Sequence, residues 1–213
     1  MKYYISDLHF FDKKMITFMD KRPFHTVIDM NAYMISQWNK RITTDDQVYI
    51  LGDFSNGTAE QTEMVLTQLK GNKYLIIGNH DEFIQDSSFL QSLFKWVGPY
   101  LEVSDNNRNV VLSHYPICCY NHQYHRDING IPKTFMLYGH VHNTFDEYLI
   151  NEYKKIAACY ERNLYNQGYY SIPTQMINCF CVFSKYQPLS LDEWIRVDKK
   201  RHQNDNFMNN RRY

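Results

Sequence analysis

Short apolar runs recur along the chain, and each ends at a polar residue or a glycine. Runs of this length, rich in aromatic and β-branched residues, are typical of buried strands. Two longer segments, 27–42 and 59–69, instead place apolar residues three to four positions apart, which predicts amphipathic helices. The alternation of strand, helix and strand favours a sheet built from parallel βαβ units. The predicted strands cover residues 2–6, 48–51, 74–77, 109–112 and 135–138.

A hairpin and a further helix are predicted in the middle of the chain. Apolar residues at 100–103 and 109–112 flank the turn sequence Asp105-Asn106-Asn107, a pattern that favours two antiparallel strands joined by a tight turn. Residues 88–96 are predicted to be helical.

The C-terminal third completes what we predict to be one domain, residues 1–197. A Tyr-rich segment at about 147–167 is predicted to be a helical insertion, followed by a strand at 176–183 and a short helix at 189–195. The polar residues 198–213 are predicted to form a disordered tail.

The composition argues against some classes of protein but indicates no particular binding partner. The formal net charge is zero, which gives no general attraction to nucleic acid or to an anionic membrane, so a nucleic-acid partner is not favoured. No apolar run is long enough for a transmembrane helix, and a polar motif begins within seven residues of the N-terminus, so no signal peptide is expected. Five cysteines without disulfide-like spacing predict reduced thiols and a cytoplasmic protein. The oligomeric state is left open.

Five polar motifs carry most of the chemical information, and four of them directly follow an apolar run. They contain five of the nine histidines. Because ligands bind beyond the carboxyl ends of parallel strands, we expect these motifs to share one rim of the sheet. Their oxygen and nitrogen donors exceed the roughly four to six that one metal ion uses. The motifs are Asp7-Leu8-His9, Gly52-Asp53, Gly78-Asn79-His80-Asp81, His114 and Gly139-His140-Val141-His142.

Each motif alone has an ordinary structural explanation. An Asp at a strand end is most often a turn residue or a helix cap, and a His-x-His pair often lies on the surface by coincidence. The joint occurrence of all five motifs, in this order, makes coincidence a poor explanation and favours a metal site.

The complete motif set resembles the calcineurin-like metallophosphoesterase superfamily over roughly residues 1–195. The Asp-Leu-His-Phe start, the segment Arg22-Pro23-Phe24 and the sequence Leu-Tyr-Gly-His-Val-His-Asn are similar to the small bacterial and phage phosphoesterases of that superfamily. Those proteins usually continue with Gly-His-x-Asn, whereas this chain has Phe-Asp-Lys-Lys at 11–14, a departure that concerns substrate preference. The resemblance implies a four-layer α/β/β/α sandwich of two mixed sheets, with a dimetal site at the rim formed by the strand C-termini.

The resemblance also implies the ligands of two divalent ions, with a hydroxide between them as the nucleophile. Asp53 would bridge the ions. Ligands without thiolate suit Mn, Fe or Zn, and we favour Mn. The resemblance assigns Asp7, His9, Asp53 and His142 to one ion, and Asp53, Asn79, His114 and His140 to the other.

Further residues are implied to act on the substrate. By resemblance, His80 would contact the scissile phosphate or protonate the leaving group, with Asp81 holding its ring. Arg22 is a candidate phosphate contact. His122 and His125 are candidate substrate contacts, although a solvated loop is the better explanation for them.

The predicted function is therefore metal-dependent hydrolysis of a phosphate mono- or diester in a small phosphorylated substrate. One alternative keeps the site but makes the protein a phosphodiesterase, a nuclease or a nucleotide pyrophosphohydrolase. A second alternative is a non-catalytic scaffold that binds other proteins. Such scaffolds should have lost metal ligands, and this chain keeps the whole set.

Overall fold

The computed structural model describes residues 1–163 and 168–205, and the strands and helices predicted up to residue 77 are found there in the predicted order. Short 3₁₀ turns connect several of them. In chain order the elements are β1 Lys2–Ile5, α1 Lys14–Thr17, α2 Val27–Arg41, β2 Gln47–Leu51, α3 Ala59–Gln68, β3 Asn72–Ile76, β4 Trp96–Gly98, β5 Tyr100–Asp105, β6 Arg108–Ser113, β7 Thr134–Tyr138, α4 Phe145–Ala158, β8 Glu161–Asn163, β9 Tyr169–Ser171, β10 Met176–Asn178 and α5 Leu191–Asp205.

Two four-stranded sheets form the centre of the fold. The first has the order β1-β2-β3-β4, and each of its strand pairs is parallel. The second has the order β10-β7-β6-β5, in which β10, β7 and β6 run parallel and β5 pairs antiparallel with β6. The β5–β6 pair is the predicted hairpin, and its turn contains Asn106 and Asn107 at positive φ.

Alternate side chains of each strand enter different layers, as the pleat of a strand requires. On β2, Ile50 packs in one core with Trp38 of α2 and Leu66 of α3. Its neighbours Tyr49 and Leu51 face the second sheet and form the core between the sheets, together with Val110, Leu112, Phe135 and Leu137.

The outer face of the second sheet is covered by α4. Val111, Met136 and Tyr138 lie there in a third cluster, against Ile150 and Tyr153 of the helix. The layers are therefore helix, sheet, sheet and helix, which confirms the predicted four-layer sandwich. This architecture brings the carboxyl ends of β1, β2, β3, β6 and β7 to one side of the molecule.

The two helices predicted from periodicity are confirmed, and local signals explain where they begin. The Thr26 hydroxyl accepts a hydrogen bond from the backbone N–H of Asp29 at the start of α2. Thr58 and Gln61 form a reciprocal capping box at the start of α3. None of the helices in the described ranges is both long enough and apolar enough to cross a membrane.

Residues 88–96 were predicted to be helical, and this prediction is wrong. Gln91–Leu93 form a single 3₁₀ turn, and Trp96–Gly98 pair with β3 as an edge strand. Phe89 and Phe94 are both buried, with their ring centroids 6.2 Å apart. Burial of both rings and the strand pairing outweigh the helical spacing of the apolar residues.

The polar segment after residue 197 was predicted to be disordered, whereas α5 continues through it to Asp205. Contacts with the body of the fold hold this part of the helix. Asp198 lies 3.4 Å from the Lys154 ammonium, and Arg201 binds Glu147 and covers the ring of Phe183. Residues 206–213 lie outside the described residues.

The Tyr-rich segment at 147–167 is helical only in its first part. Helix α4 ends at Ala158, and β8 then pairs with β9 in a small antiparallel sheet. Residues 164–167 of the predicted insertion lie outside the described residues.

Candidate metal centre

The structure brings all seven predicted metal ligands to the rim formed by the strand ends. Two overlapping sets of side chains can be distinguished by their contacts, and they share one aspartate. The inner group is defined as Asp7, His9, Asp53 and His142. The outer group is defined as Asp53, Asn79, His114 and His140.

The backbone at this rim is strained at five of the seven positions. A non-glycine residue at positive φ costs about 1–3 kcal/mol, so it persists only where the surrounding fold enforces it. Residues of this kind cluster at functional sites, which makes the rim unlike an ordinary set of turns. The five are Asp7 (φ 56°), His9 (51°), Asp53 (52°), His140 (69°) and His142 (47°).

Three glycines of the motifs make room for ligand side chains. A Cβ atom on Gly52 would lie 2.3 Å from Nδ1 of His114, and one on Gly78 would lie 2.3 Å from Oδ1 of Asp53. A Cβ on Gly139 would lie 2.6 Å from the Asp7 carboxylate. Because each of these glycines lacks a side chain, a predicted ligand from another loop can lie close to its backbone.

The inner group is buried, and its four donor atoms all lie within 4.8 Å of one another. Nε2 of His9 is 3.2 Å from Nε2 of His142 and 3.5 Å from Oδ2 of Asp53. Nδ1 of His142 is held by the carboxylate of Asp20 at 2.7 Å, and a carboxylate can only accept, so that Nδ1 donates. In the neutral ring, Nε2 of His142 therefore directs a lone pair into the group.

The Asp7 carboxylate is the clearest sign that the inner group suits a cation. Its Oδ1 accepts a hydrogen bond from the backbone N–H of His140 at 2.9 Å, while its Oδ2 is buried without a hydrogen-bond partner. Leaving such an atom unpaired is costly in a protein interior. A divalent ion would offset that cost, so the residues fit a metal.

The outer group shows the same arrangement closer to solvent. Oδ1 of Asn79 lies 3.0 Å from Nε2 of His114 and 3.0 Å from Nδ1 of His140. Nδ1 of His114 is bonded to the backbone carbonyl of Leu51, so it donates, and in the neutral ring Nε2 carries a lone pair. Oxygen and nitrogen lone pairs that face one another at this distance also suit a cation.

Asp53 belongs to both groups by distance. Its Oδ2 is 3.5 Å from Nε2 of His9 and 3.5 Å from Nε2 of His114. Its Oδ1 accepts a hydrogen bond from the backbone N–H of His80 at 2.8 Å. One carboxylate oxygen is thus equidistant from an imidazole of the inner group and an imidazole of the outer group.

The ionisation of the imidazoles differs across the site. Burial lowers the pKa of His9. The His140 residue is exposed, but partial burial of its ring together with the neighbouring His114 lowers its pKa as well. Burial also opposes the charged form of His142, but the hydrogen bond to Asp20 and the charge of Asp7 raise its pKa overall. Neutral imidazole is the form that binds metal, so His9 and His140 are ready ligands near neutral pH.

Asp81 has a different contact from the one predicted. Its carboxylate accepts hydrogen bonds from the backbone N–H groups of Asp53 (3.0 Å), Phe54 (2.7 Å) and Gly78 (2.8 Å). Burial raises the pKa of Asp81 to about 6. No hydrogen bond joins it to the His80 ring among the described residues, so Asp81 ties together the loops after β2 and β3.

His80 lies at the exposed edge of the inner group. It is exposed, and its ring centroid is 5.4 Å from that of His9 in an edge-on arrangement. The backbone N–H of His80 donates a hydrogen bond to the Asp53 carboxylate, which fixes its position relative to that shared group.

Arg22 was predicted to contact phosphate, and the structure places it elsewhere. The guanidinium is buried and donates to the backbone carbonyls of Leu8 (2.7 Å) and Asp7 (2.9 Å). It also pairs with Asp20 at 2.8 Å. The guanidinium therefore lies behind the Asp7 loop and away from the exposed rim.

His122 and His125 lie together in an exposed loop. Their ring centroids are 4.4 Å apart, and they line a cavity of about 430 Å³ with Tyr124 and Arg162. No hydrogen bond connects either ring with the inner or outer group within the described ranges. None of the predicted metal ligands lines the cavity beside these two histidines.

Three residues at the site were missed by the sequence reasoning. Asn56 accepts from Nδ1 of His9 at 2.9 Å, and Asp20 does the same for His142 at 2.7 Å. Tyr115 is half exposed, and its ring packs on that of His140 at 4.5 Å. Tyr115 directly follows a predicted ligand and could have been found by that signal, but no pattern marks Asn56 or Asp20.

Comparisons with known proteins agree with this geometry. A family model described as calcineurin-like phosphoesterase matches residues 3–205. An uncharacterized protein of Methanocaldococcus jannaschii, MJ1445, is 28% identical over 202 residues, which are 93% of this chain and 91% of that protein. The gene 66 protein of Mycobacterium phage D29 is 32% identical over 103 residues, covering 41% of this chain and 52% of the phage protein.

A solved structure shares the fold. The crystal structure of a protein of unknown function from Aquifex aeolicus, AQ665, superposes with a TM-score of 0.63. The superposition covers 92% of this chain and 98% of that one, at 20% sequence identity. At that identity the likeness concerns the fold alone.

Proposed function

Because the chain belongs to the calcineurin-like phosphoesterase family, we propose that it hydrolyses a phosphate ester with two divalent metal ions held by the inner and outer groups. The observation that carries the proposal is the buried inner group, with an unpaired Asp7 oxygen and facing imidazole nitrogens. When bound, such ions supply Lewis-acid charge for the phosphoryl oxygens and lower the pKa of water.

The ligand assignment follows the two groups. Asp7, His9 and His142 would hold the inner ion, Asn79, His114 and His140 the outer ion, and Asp53 both. The 3.5 Å distances from Asp53 Oδ2 to His9 and His114 support the shared role. Nitrogen and oxygen donors without thiolate suit Mn, Fe or Zn, and Mn is our first choice.

We assign proton transfer to His80. Its exposed ring stands beside the inner group, and its backbone is fixed to Asp53. From there a ring nitrogen would donate a proton to the leaving oxygen of the ester. Asp81 would act by holding the loops that carry Asp53 and Asn79, since its carboxylate binds their backbone amides.

The substrate we propose is a small phosphorylated molecule. The exposed rim offers His80, Asn79 and His140 to a phosphate, and Arg22 is buried away from it. The formal charge of zero gives no general attraction to a long polyanion. A screen of mono- and diester substrates with the Mn²⁺-loaded protein decides whether the ester is a mono- or a diester.

His122 and His125 remain proposed contacts for the part of the substrate away from the phosphate. The cavity they line also holds the aromatic ring of Tyr124, on which a planar group could stack. Replacing both histidines by alanine should then raise KM for the natural substrate and leave KM for p-nitrophenyl phosphate unchanged.

The proposed function is tested with purified, Mn²⁺-loaded protein. We would measure hydrolysis of p-nitrophenyl phosphate, bis-p-nitrophenyl phosphate, cyclic nucleotides and nucleoside polyphosphates. Metal-stripped protein and the Asp53→Asn variant are the controls.

Hydrolysis that requires the metal and Asp53 would support the proposal, and the preferred substrate would separate monoesterase, diesterase and pyrophosphohydrolase activities. Metal-loaded protein that hydrolyses none of these esters would contradict it. That result would favour the non-catalytic scaffold.

A further inference from the structure

Asp20 and Arg22 form a buried pair directly behind the inner group. They lie in the loop between α1 and α2, which none of the predicted metal motifs includes. The Arg22 side chain is fully buried, and the Asp20 side chain is 7% exposed. A buried charge pair in a loop requires a reason, because desolvation of both groups is costly.

Both oxygens of Asp20 are engaged. Oδ1 accepts from Nδ1 of His142 at 2.7 Å, and Oδ2 accepts from Nε of Arg22 at 2.9 Å. An ionised carboxylate has no proton to give, so Nδ1 of His142 must be the donor. The remaining nitrogen, Nε2, is thereby turned toward Asp7 and His9, 3.6 Å from Oδ1 of Asp7.

Arg22 connects this contact with a second ligand-bearing loop. Its Nη1 and Nη2 donate to the carbonyls of Leu8 and Asp7, the two residues that precede His9. Asp7 and His9 are both at positive φ. One guanidinium thus holds the strained loop after β1 and, through Asp20, the ring of His142. Asp20 and His142 are 122 residues apart in the sequence.

We propose that Asp20, oriented by Arg22, is a positioning residue that fixes the tautomer and direction of His142 and thereby sets the affinity of the inner ion. Hydrogen-bond partners of this kind typically change metal affinity about 10–100-fold. The inference rests on the proposed function in one respect, the presence of two metal ions, and it makes no demand on the substrate.

The test compares Asp20→Asn with a matched control, Asp46→Asn. Asp46 is also a buried carboxylate, held by the Thr43 backbone N–H and hydroxyl and by the N-terminal amine. It precedes β2, whereas Asp53 follows that strand, so it lies at the opposite end from the metal groups. Loss of a buried carboxylate is common to both variants, but only Asp20 contacts a metal ligand.

Mn²⁺ would be titrated calorimetrically into metal-stripped wild type and both variants, and thermal unfolding would be recorded without metal. We expect two ions to bind wild type, and Asp20→Asn to weaken one of them about 10–100-fold while the other is unchanged. Asp46→Asn should lower the unfolding temperature and leave both affinities unchanged. Two unchanged affinities in Asp20→Asn would overturn the inference.

A second measurement needs no variant. In zinc-loaded wild type, nitrogen–proton correlation spectra should show His142 protonated at Nδ1 and bound through Nε2. Zinc binding through Nδ1, or a His142 free of zinc, would overturn the inference even if Asp20→Asn fails to fold.

The outcomes separate this inference from the proposed function. Wild type that binds two ions but hydrolyses no ester contradicts the hydrolase and leaves the role of Asp20 to be read from the titration. Wild type that binds no divalent ion overturns both.

Discussion

The inner and outer groups share one carboxylate and the same kinds of donor atoms, yet their surroundings differ. Asp7, His9 and His142 are all buried, whereas Asn79 and His140 of the outer group are exposed. Side chains behind the inner imidazoles fix their direction, Asn56 for His9 and Asp20 for His142. In the outer group, the backbone carbonyl of Leu51 fixes the direction of His114 in the same way.

This difference indicates a division of roles. A buried, braced group loses little side-chain freedom when it binds an ion, so it should hold that ion tightly. An exposed group should exchange its ion more readily and leave it open to substrate. The four predictions that follow would break or sharpen this contrast.

The largest effect is expected for Asp53→Asn, because Asp53 is the residue common to both groups. Removal of its charge should weaken both ions by more than about 10²-fold and abolish hydrolysis with them. Elemental analysis after desalting and assays with p-nitrophenyl phosphate measure the two effects together. Normal content of both metals in the variant would show that Asp53 is not shared.

His80→Asn should slow turnover by about 10²–10⁴-fold and leave both ions bound. The reason is that His80 is exposed beside the groups but belongs to neither. If it protonates the leaving oxygen, the loss should be greater for an alkyl phosphate than for p-nitrophenyl phosphate, whose leaving group scarcely needs a proton. Equal losses for the two substrates would instead indicate charge stabilisation at the phosphoryl oxygens.

Gly52→Ala should weaken the outer ion selectively, by about 10–100-fold, because the added Cβ would displace His114. Gly130→Ala is the matched control, since Gly130 has nearly the same φ (77° against 81°) but no atom within 4 Å of the added Cβ. The control should show the backbone strain without the loss of metal. An equal loss of both ions in Gly52→Ala would mean that the two groups are not separable.

The smallest expected effect concerns the unmodified protein. During limited exposure to a chelator, the outer ion should leave first, with an affinity about tenfold or more below that of the inner ion. Metal content measured over time should pass through a plateau at one ion per chain. Loss of both ions in a single phase would remove the contrast between the groups.

Much of the fold and of the candidate site could be predicted because strands and motifs coincide along the chain. Short apolar runs ending in Gly-Asp, Gly-Asn or Gly-His indicate both a buried strand and the loop that follows it. The positions that could not be predicted depend on contacts between distant segments. Arg22 looked like a phosphate contact because burial behind another loop leaves no local signal, and Asp20 meets His142 only in the folded chain.

The incorrect helix at 88–96 has a similar cause. The spacing of Leu90, Leu93 and Phe94 is compatible with a helix. The rings of Phe89 and Phe94 are nevertheless both buried, and Trp96–Gly98 pairs with β3 as an extended strand. The continuation of α5 past residue 197 likewise depends on Glu147 and Lys154 of another helix.

The left-handed backbone at the rim formed by the strand ends also restricts which residue types a protein engineer can introduce there. Asp, Asn and His tolerate positive φ better than most side chains, and glycine tolerates it best. At Asp7, His9, Asp53, His140 and His142, a β-branched replacement would therefore add steric cost to the loss of a donor atom. Few residue types suit these positions. Asn is the substitution that removes a ligand charge or ring and still tolerates the left-handed backbone conformation.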